Sequence, residues 1–184
     1  MRRMAVLMAL ALACAGGPSA YGQETPHVEI FAGGMYFDAN TNGSGSAVQN
    51  NVSLRGWNFS VSENINHWFG GAIDVSGAYA NPRGIREFQH TIVGGPVFSY
   101  RKISGVTPFA HAMIGGIRAS RGYLGASQPA TRFTAVFGGG VDLKIREHVA
   151  LRIVQADYQV TPFFNQAQAN YRISVGVVLR WGKK

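Results

Sequence analysis

The chain has 184 residues, enough for one domain, with 17 Lys and Arg against 9 Asp and Glu for a formal charge of +8. Only 14% of residues are charged, 46% are hydrophobic and 24 are glycine, a balance that excludes a disordered chain and fits a membrane barrel better than an average cytosolic enzyme. One cysteine excludes a disulfide scaffold and a cysteine-based zinc site, and the scattered basic residues give no sign of nucleic-acid binding.

Met1-Arg2-Arg3 is a short positive start, Met4–Cys14 is an unbroken apolar run of eleven, and small residues with a proline follow (AGGPSAYGQ). This order predicts a cleaved secretory signal over 1–22, cut after Gly22, with a cut after Ala20 as the second choice. The apolar run is too short to span a bilayer, which takes ~20 residues. Losing Arg2 and Arg3 leaves 15 basic residues against nine acids, a mature charge of +6. Cys14 could be read as the lipidated cysteine of a lipoprotein, but Ala11 stands where such signals usually carry leucine. The reading adopted discards Cys14 with the signal and leaves one domain, 23–184.

After residue 22 the recurring pattern is alternation with period two, the mark of a strand with unlike faces. The run at about 28–37 sets Val28, Ile30, Ala32, Gly34 and Tyr36 on one face. At about 54–63, Trp57, Phe59 and Val61 alternate with Asn58, Ser60 and Ser62. At about 68–80, Phe69, Ile73, Val75 and Tyr79 alternate with Ala72, Asp74 and Ser76. At about 88–101, Ile92, Gly94, Pro96, Phe98 and Tyr100 oppose Thr91, Val93, Ser99 and Arg101. At about 106–118, Val106, Pro108, Ala110, Ala112 and Ile114 oppose Thr107, Phe109, His111 and Met113. At about 132–144, Phe133, Ala135, Phe137, Val141 and Leu143 oppose Thr134, Asp142 and Lys144. The run at about 149–160 breaks the rule. The last, at about 170–182, sets Tyr171, Ile173, Val175, Val177, Leu179 and Trp181 against Asn170, Arg172, Ser174, Gly176 and Arg180.

The connections alternate between long and polar (38–53, 81–87, 119–131, 161–169) and tight (64–67, 102–105, 145–148). Eight strands with long loops on one side and short turns on the other predict an all-β, antiparallel up-and-down transmembrane barrel with both termini on the periplasmic side. A soluble barrel also alternates, but its polar face would be rich in charge, and this chain has only four Lys and five Glu. Aromatic residues also mark the ends of the apolar faces: Phe69 and Tyr79 are ten residues apart, as are Tyr171 and Trp181. Ten residues cover roughly 33 Å along a strand and project to roughly 25 Å at the usual tilt, the height of the lipid-facing band between aromatic girdles.

Near the C-terminus, Ser174, Gly176, Leu179 and Trp181 fit the order polar–x–Gly–x–x–hydrophobic–x–aromatic, which resembles the signal read by the barrel assembly machinery, although Gly182-Lys183-Lys184 follow the aromatic. With GWNFSVSENINHWFGGAIDVSGAY, GGPVFSYRKISGVTPFAHAMIGG and FGGGVDLKIREHVALRIVQADY, the chain resembles the small bacterial outer-membrane barrels of the OmpA-like transmembrane type over about 27–182. The resemblance implies a bacterial outer-membrane location and includes no peptidoglycan-binding domain, so an anchoring role is not carried over.

The interior of eight strands is just wide enough for side chains, so charges there must pair. The short turn around Glu147 places Asp142 opposite Arg152. Strict alternation from Arg152 would send Asp157 to lipid, so a β-bulge between them is predicted. Barrel closure brings Glu29 to Arg180, Asp74 lies deeper with Asn58 across its hairpin, and His111 faces inward. These groups read first as a structural charge ladder, and second as an ion path.

The five His stand in HVE, HWF, HTI, HAM and HVA, so the His-x-Ser pattern of lipid A deacylase barrels is absent, and no catalytic, metal or cofactor residues are assigned. Gly138, Gly139 and Gly140 fit close strand packing rather than a phosphate loop. On the long-loop side Arg83, Arg86, Arg118, Arg121 and Arg132 form a candidate ring for lipopolysaccharide or another anionic glycolipid, weighed equally against ordinary solvated loops. The expectation is a non-enzymatic outer-membrane protein with a structural or interaction role, with outer-membrane lipid and the assembly machinery as partners. The alternatives are a narrow pore for ions or small solutes, and a soluble periplasmic barrel that binds a lipid.

Overall fold

Eight runs of alternating residues become eight strands in the computed structural model, which describes residues 25–39, 52–81, 86–123, 126–163 and 166–182. The predicted signal over 1–22 lies outside the described residues. The strands are β1 (Val28–Ala39), β2 (Val52–Asn64), β3 (Phe69–Ala80), β4 (Arg86–Ser99), β5 (Val106–Tyr123), β6 (Ala126–Arg146), β7 (Val149–Phe163) and β8 (Gln166–Trp181). Each pairs antiparallel with the next, and β8 pairs with β1 to close the barrel. Closure removes both sheet edges, so every strand satisfies its backbone groups on two sides.

Burial follows the pleat. On β2, Asn58 and Ser60 are buried at 1% and 4% exposure, while Trp57 and Phe59 between and beside them are exposed. The polar face is thus the interior and the apolar face the exterior, the reverse of a soluble barrel. Tight turns at 65–68, 100–105 and 147–148 join β2 to β3, β4 to β5 and β6 to β7. In the first, the Asn66 side-chain oxygen accepts from the amides of Trp68 and Phe69 at 3.0 and 2.8 Å. In the second, Gly105 has φ of +77°, which a side chain would strain.

Two of the long connections expected from sequence are mostly strand. β5 and β6 stay paired as far as Tyr123 opposite Ala126, through the predicted 119–131 loop. β7 and β8 stay paired as far as Phe163 opposite Gln166, through 161–169. Likewise β4 starts at Arg86, inside the predicted 81–87 connection. The physical reason is that ladder hydrogen bonds come from the backbone. Where both faces are polar, alternation lapses and pairing continues.

The seventh strand does contain a bulge. Val141 opposes Val154 but Asp142 opposes Arg152, and the register against β8 shifts between Arg152 and Gln155. Ile153 and Val154 both face outward, which returns Gln155 and Asp157 to the interior with Arg152. Gly138, opposite Asp157, is part of this arrangement, because a Cβ there would meet the Asp157 carboxylate and the neighbouring backbone.

Gly115 and Gly34 separate packing need from tolerance. A Cβ at inward-facing Gly115 would stand 2.7 Å from the Val93 Cα, whereas at outward-facing Gly34 it would meet nothing within 4 Å. Gly115→Ala should therefore lower stability by about 1–3 kcal/mol, as overpacking does. Gly34→Ala should leave the urea midpoint near that of the wild type.

Candidate functional site

Register alone brings two ion pairs into the interior. Glu29 opposes Arg180 across the closing seam, and Arg180 Nε donates to its carboxylate at 2.8 Å. Asp142 opposes Arg152, which donates from Nε at 2.8 Å and from Nη2 at 3.1 Å, a two-point contact. The Arg152 guanidinium also lies between the Phe31 and Phe109 rings, 4.4 and 4.1 Å from their centroids.

Further contacts join the pairs into a network. Arg101 Nη2 donates to Glu29 and to Asn64, both at 3.1 Å. Arg180 reaches Asp142 at 3.6 Å. Arg152 donates to the Gln155 amide oxygen at 2.7 Å, and the Gln155 amide donates to Asp157 at 2.8 Å. Arg172 then bridges two acids, donating to Asp157 at 2.7 Å and to Asp74 at 2.8 Å, and reaches Ser76 at 3.1 Å. His111 stands 2.9 Å from the other Asp157 oxygen. Among the described residues the buried acids are Glu29, Asp74, Asp142 and Asp157, and the buried arginines are Arg101, Arg152, Arg172 and Arg180. Four against four leaves the interior neutral when His111 is neutral.

The structure places Asn58 differently from a direct cross-strand partner. Ser60 opposes Asp74, and Asn58 reaches the Asp74 carboxylate on the diagonal at 2.8 Å. On the β3–β6 side the lumen also holds an apolar cluster of Ala72, Val93, Val97, Met113 and Val136, with Phe109 packed against them. The cavity bordered by Glu29, Asp74, His111, Asp142, Arg152 and Gln155 measures about 20 Å³, the scale of a single water.

On the exterior, Phe69 and Phe98 are directly opposed with ring centroids 5.4 Å apart, and Trp68 stacks on Phe98 at 6.0 Å. Trp181, opposite Val28, lies at this same short-turn end. At the other end Tyr79 contacts His90, and Tyr171 lies 5.4 Å from Tyr158. On β8, Ser174 is buried, whereas Leu179 and Trp181 face out. Gly176 has its own packing reason: a Cβ there would stand 2.5 Å from the Gly33 Cα across the seam.

The expected arginine ring is not one surface. Arg118 faces outward opposite His90. Arg132 opposes buried Ile117, on the lumen side of β6, and donates to the Thr131 carbonyl at 3.0 Å. Arg86 and Arg121 lie within β4 and β5, and Arg83 lies outside the described residues.

No family model matches the chain, and no curated protein matches it. Solved structures do. Neisserial surface protein A superposes with a TM-score of 0.69 at 18% identity, covering 84% of this chain and 97% of that one. The fold is that of the small outer-membrane β-barrels. Ail, the attachment invasion locus protein of Yersinia pestis, gives 0.56 at 15% identity, over 84% of this chain and 99% of that one. The N-terminal β-barrel domain of OprF from Pseudomonas aeruginosa gives 0.52 at 9% identity, over 84% and 98%.

Sequence reasoning in this barrel misses the partners of Arg101, Arg172, His111 and Gln155. One signal was present. Pairing Asp142 with Arg152 and Glu29 with Arg180 leaves Asp74 and Asp157 without a cation, and Arg172, an inward-facing arginine left over, meets both, whereas Arg101 joins the already paired Glu29.

The network makes single and double substitutions unequal. Arg152→Ala leaves Asp142 only its 3.6 Å contact with Arg180 and should cost about 3 kcal/mol, whereas Asp142→Ala with Arg152→Ala should cost less than the sum of the two single changes. Urea midpoints of the four proteins measure this, and additive shifts would show that the pair is not coupled.

Proposed function

We propose that this chain is a non-enzymatic integral protein of the bacterial outer membrane, with a structural or interaction role, its long hairpins outside and both termini in the periplasm. The observation that carries the reading is the exterior. Ile73, Ile92, Ile114, Phe133, Phe137 and Val175 are all more than half exposed, a continuous apolar surface that water does not tolerate on a monomer. Aromatic side chains stand at both of its margins, where Phe69 and Trp181 mark one girdle and Tyr79 and Tyr171 the other. Outer-membrane lipid is then the solvent of this face, and Ser174, Gly176, Leu179 and Trp181 supply the pattern that the assembly machinery reads during insertion.

The interior argues against the two alternatives. A lipid carrier needs an apolar cavity of lipid size, and this lumen is crossed by eight buried charged groups beside a 20 Å³ void. A pore needs a continuous water column, and Arg152, Phe109 and Met113 stand in that volume. The contacts of four histidines include no serine, threonine or cysteine: His27 lies 3.9 Å from Glu63, His90 contacts the Tyr79 hydroxyl, His111 contacts Asp157, and His148 contacts the Arg180 carbonyl.

Cell fractionation tests the reading directly. The mature protein should enter the outer-membrane fraction and change its gel mobility on heating, and recovery of the folded protein in the soluble periplasm would overturn it. In a planar bilayer the wild type should show no stable open channel. Val175→Arg, on the lipid face, should cost about 2–4 kcal/mol in a lipid-embedded barrel.

A further inference from the structure

Outward residues on β5 run Ile114, Gly116, Arg118, because Met113 and Ile117 are buried in the lumen and faces alternate. Gly116 is opposed by Ile92 on β4 and by Phe133 on β6, with exposures of 59% and 57%. A Cβ at Gly116 would meet only the Arg132 carbonyl oxygen, at 3.9 Å. Backbone packing therefore does not require this glycine, in contrast to Gly115 beside it. What the glycine leaves is a trough with a bare backbone floor and two apolar walls. The walls stand two strand spacings apart, ~9.6 Å, which admits one hydrocarbon chain between the side chains.

The two ends of the trough differ. Toward the barrel middle lie Ile114, with Gly94 and Ala135 opposite it, all apolar. Toward the long hairpins stands Arg118, opposite His90 on β4 and Thr131 on β6. The Tyr79 hydroxyl is 2.9 Å from His90 Nε2. When that hydroxyl donates, the imidazole proton sits on Nδ1 and can be given to an anion. Arg118 is exposed and has no ion-pair partner among the described residues. Glu87, the acid nearest His90 on β4, is opposed by Arg121 on β5 and borders the pocket that His90 shares with Tyr79 and Phe88, on the side of His90 away from Arg118.

A guanidinium set directly above an apolar channel matches a molecule with an anionic head and a hydrocarbon tail. We propose that this trough binds lipopolysaccharide, with one acyl chain over Gly116 between Ile92 and Phe133 and a phosphate held by Arg118, His90 and the Thr131 hydroxyl. The choice of glycolipid over phospholipid rests on the reading above that the long hairpins face the outer leaflet. The site uses one of the five arginines of the expected ring and adds residues that no charge count would select, Gly116 and His90 among them.

Native mass spectrometry of the purified barrel, titrated separately with bis-phosphorylated lipid A and with phosphatidylglycerol, tests the proposal. Lipid A should bind the wild type at least about tenfold more tightly than phosphatidylglycerol. Arg118→Gln and Gly116→Leu should each weaken lipid A binding about tenfold, the scale of one charge-assisted contact or one displaced chain. Gly71→Leu, at another open outward glycine whose strand neighbours are Phe69 and Ile73 and whose cross-strand partners are Glu63 and Pro96, should bind as the wild type does. Equal affinity for the two lipids would overturn the choice of glycolipid. Wild-type binding by Gly116→Leu would overturn the trough, even if Arg118 matters. Heat-shifted gel mobility reports folding of each protein, and if Gly116→Leu fails to fold, Gly116→Val takes its place. A barrel that folds in membranes but is insensitive at both positions sinks this inference alone, whereas a wild type found soluble sinks the membrane reading.

Discussion

Closing eight strands commits every second side chain to a space with no room for a column of water. In that space a charged group has only other side chains to satisfy it, and an unpaired one is costly. Among the described residues, the four buried carboxylates and four buried guanidiniums are therefore arranged as one connected set. Arg172 is its hub, because a single guanidinium holds Asp157 on β7 and Asp74 on β3, strands that do not touch through the backbone. Arg101 does the same between β1 and the β4–β5 turn through Glu29. The lumen thus cross-braces the sheet from within.

The local irregularities serve this requirement. Arg152 and Asp157 are separated by an odd number of steps, so a regular strand could place only one of them inside. The bulge at Ile153 and Val154 places both inside and leaves two apolar residues facing out. Gly138 and Gly140 on β6 make room for the side chain and backbone of the bulged strand, since a Cβ at either would collide with β7. The Gly-rich segment is therefore a packing device rather than a flexible one.

With the lumen filled by side chains, the exterior is the surface open to other molecules. The exterior offers two kinds of surface. One is the broad apolar band with aromatic margins. The other is the rim at the long hairpins, where polar groups meet that band. At the rim, individual positions differ: an outward glycine beside an outward arginine is unlike an outward glycine beside a tyrosine, although both lie on equally regular strands.

Much of this was legible from the sequence because it is local. Period-two alternation names the strands and their faces, the centre of a tight turn fixes Asp142 against Arg152, and closure fixes Glu29 against Arg180. The bulge follows from the cost of an acid in lipid. The extents of β5–β6 and β7–β8 were not legible, since backbone pairing persists where both faces are polar and the alternation that marks a strand is lost. The contacts of Arg172 with Asp74, Arg101 with Glu29 and His111 with Asp157 were decided only by the tertiary structure. They cross the lumen, and which residues meet there depends on the tilt and stagger of the whole barrel, which no single strand or hairpin encodes.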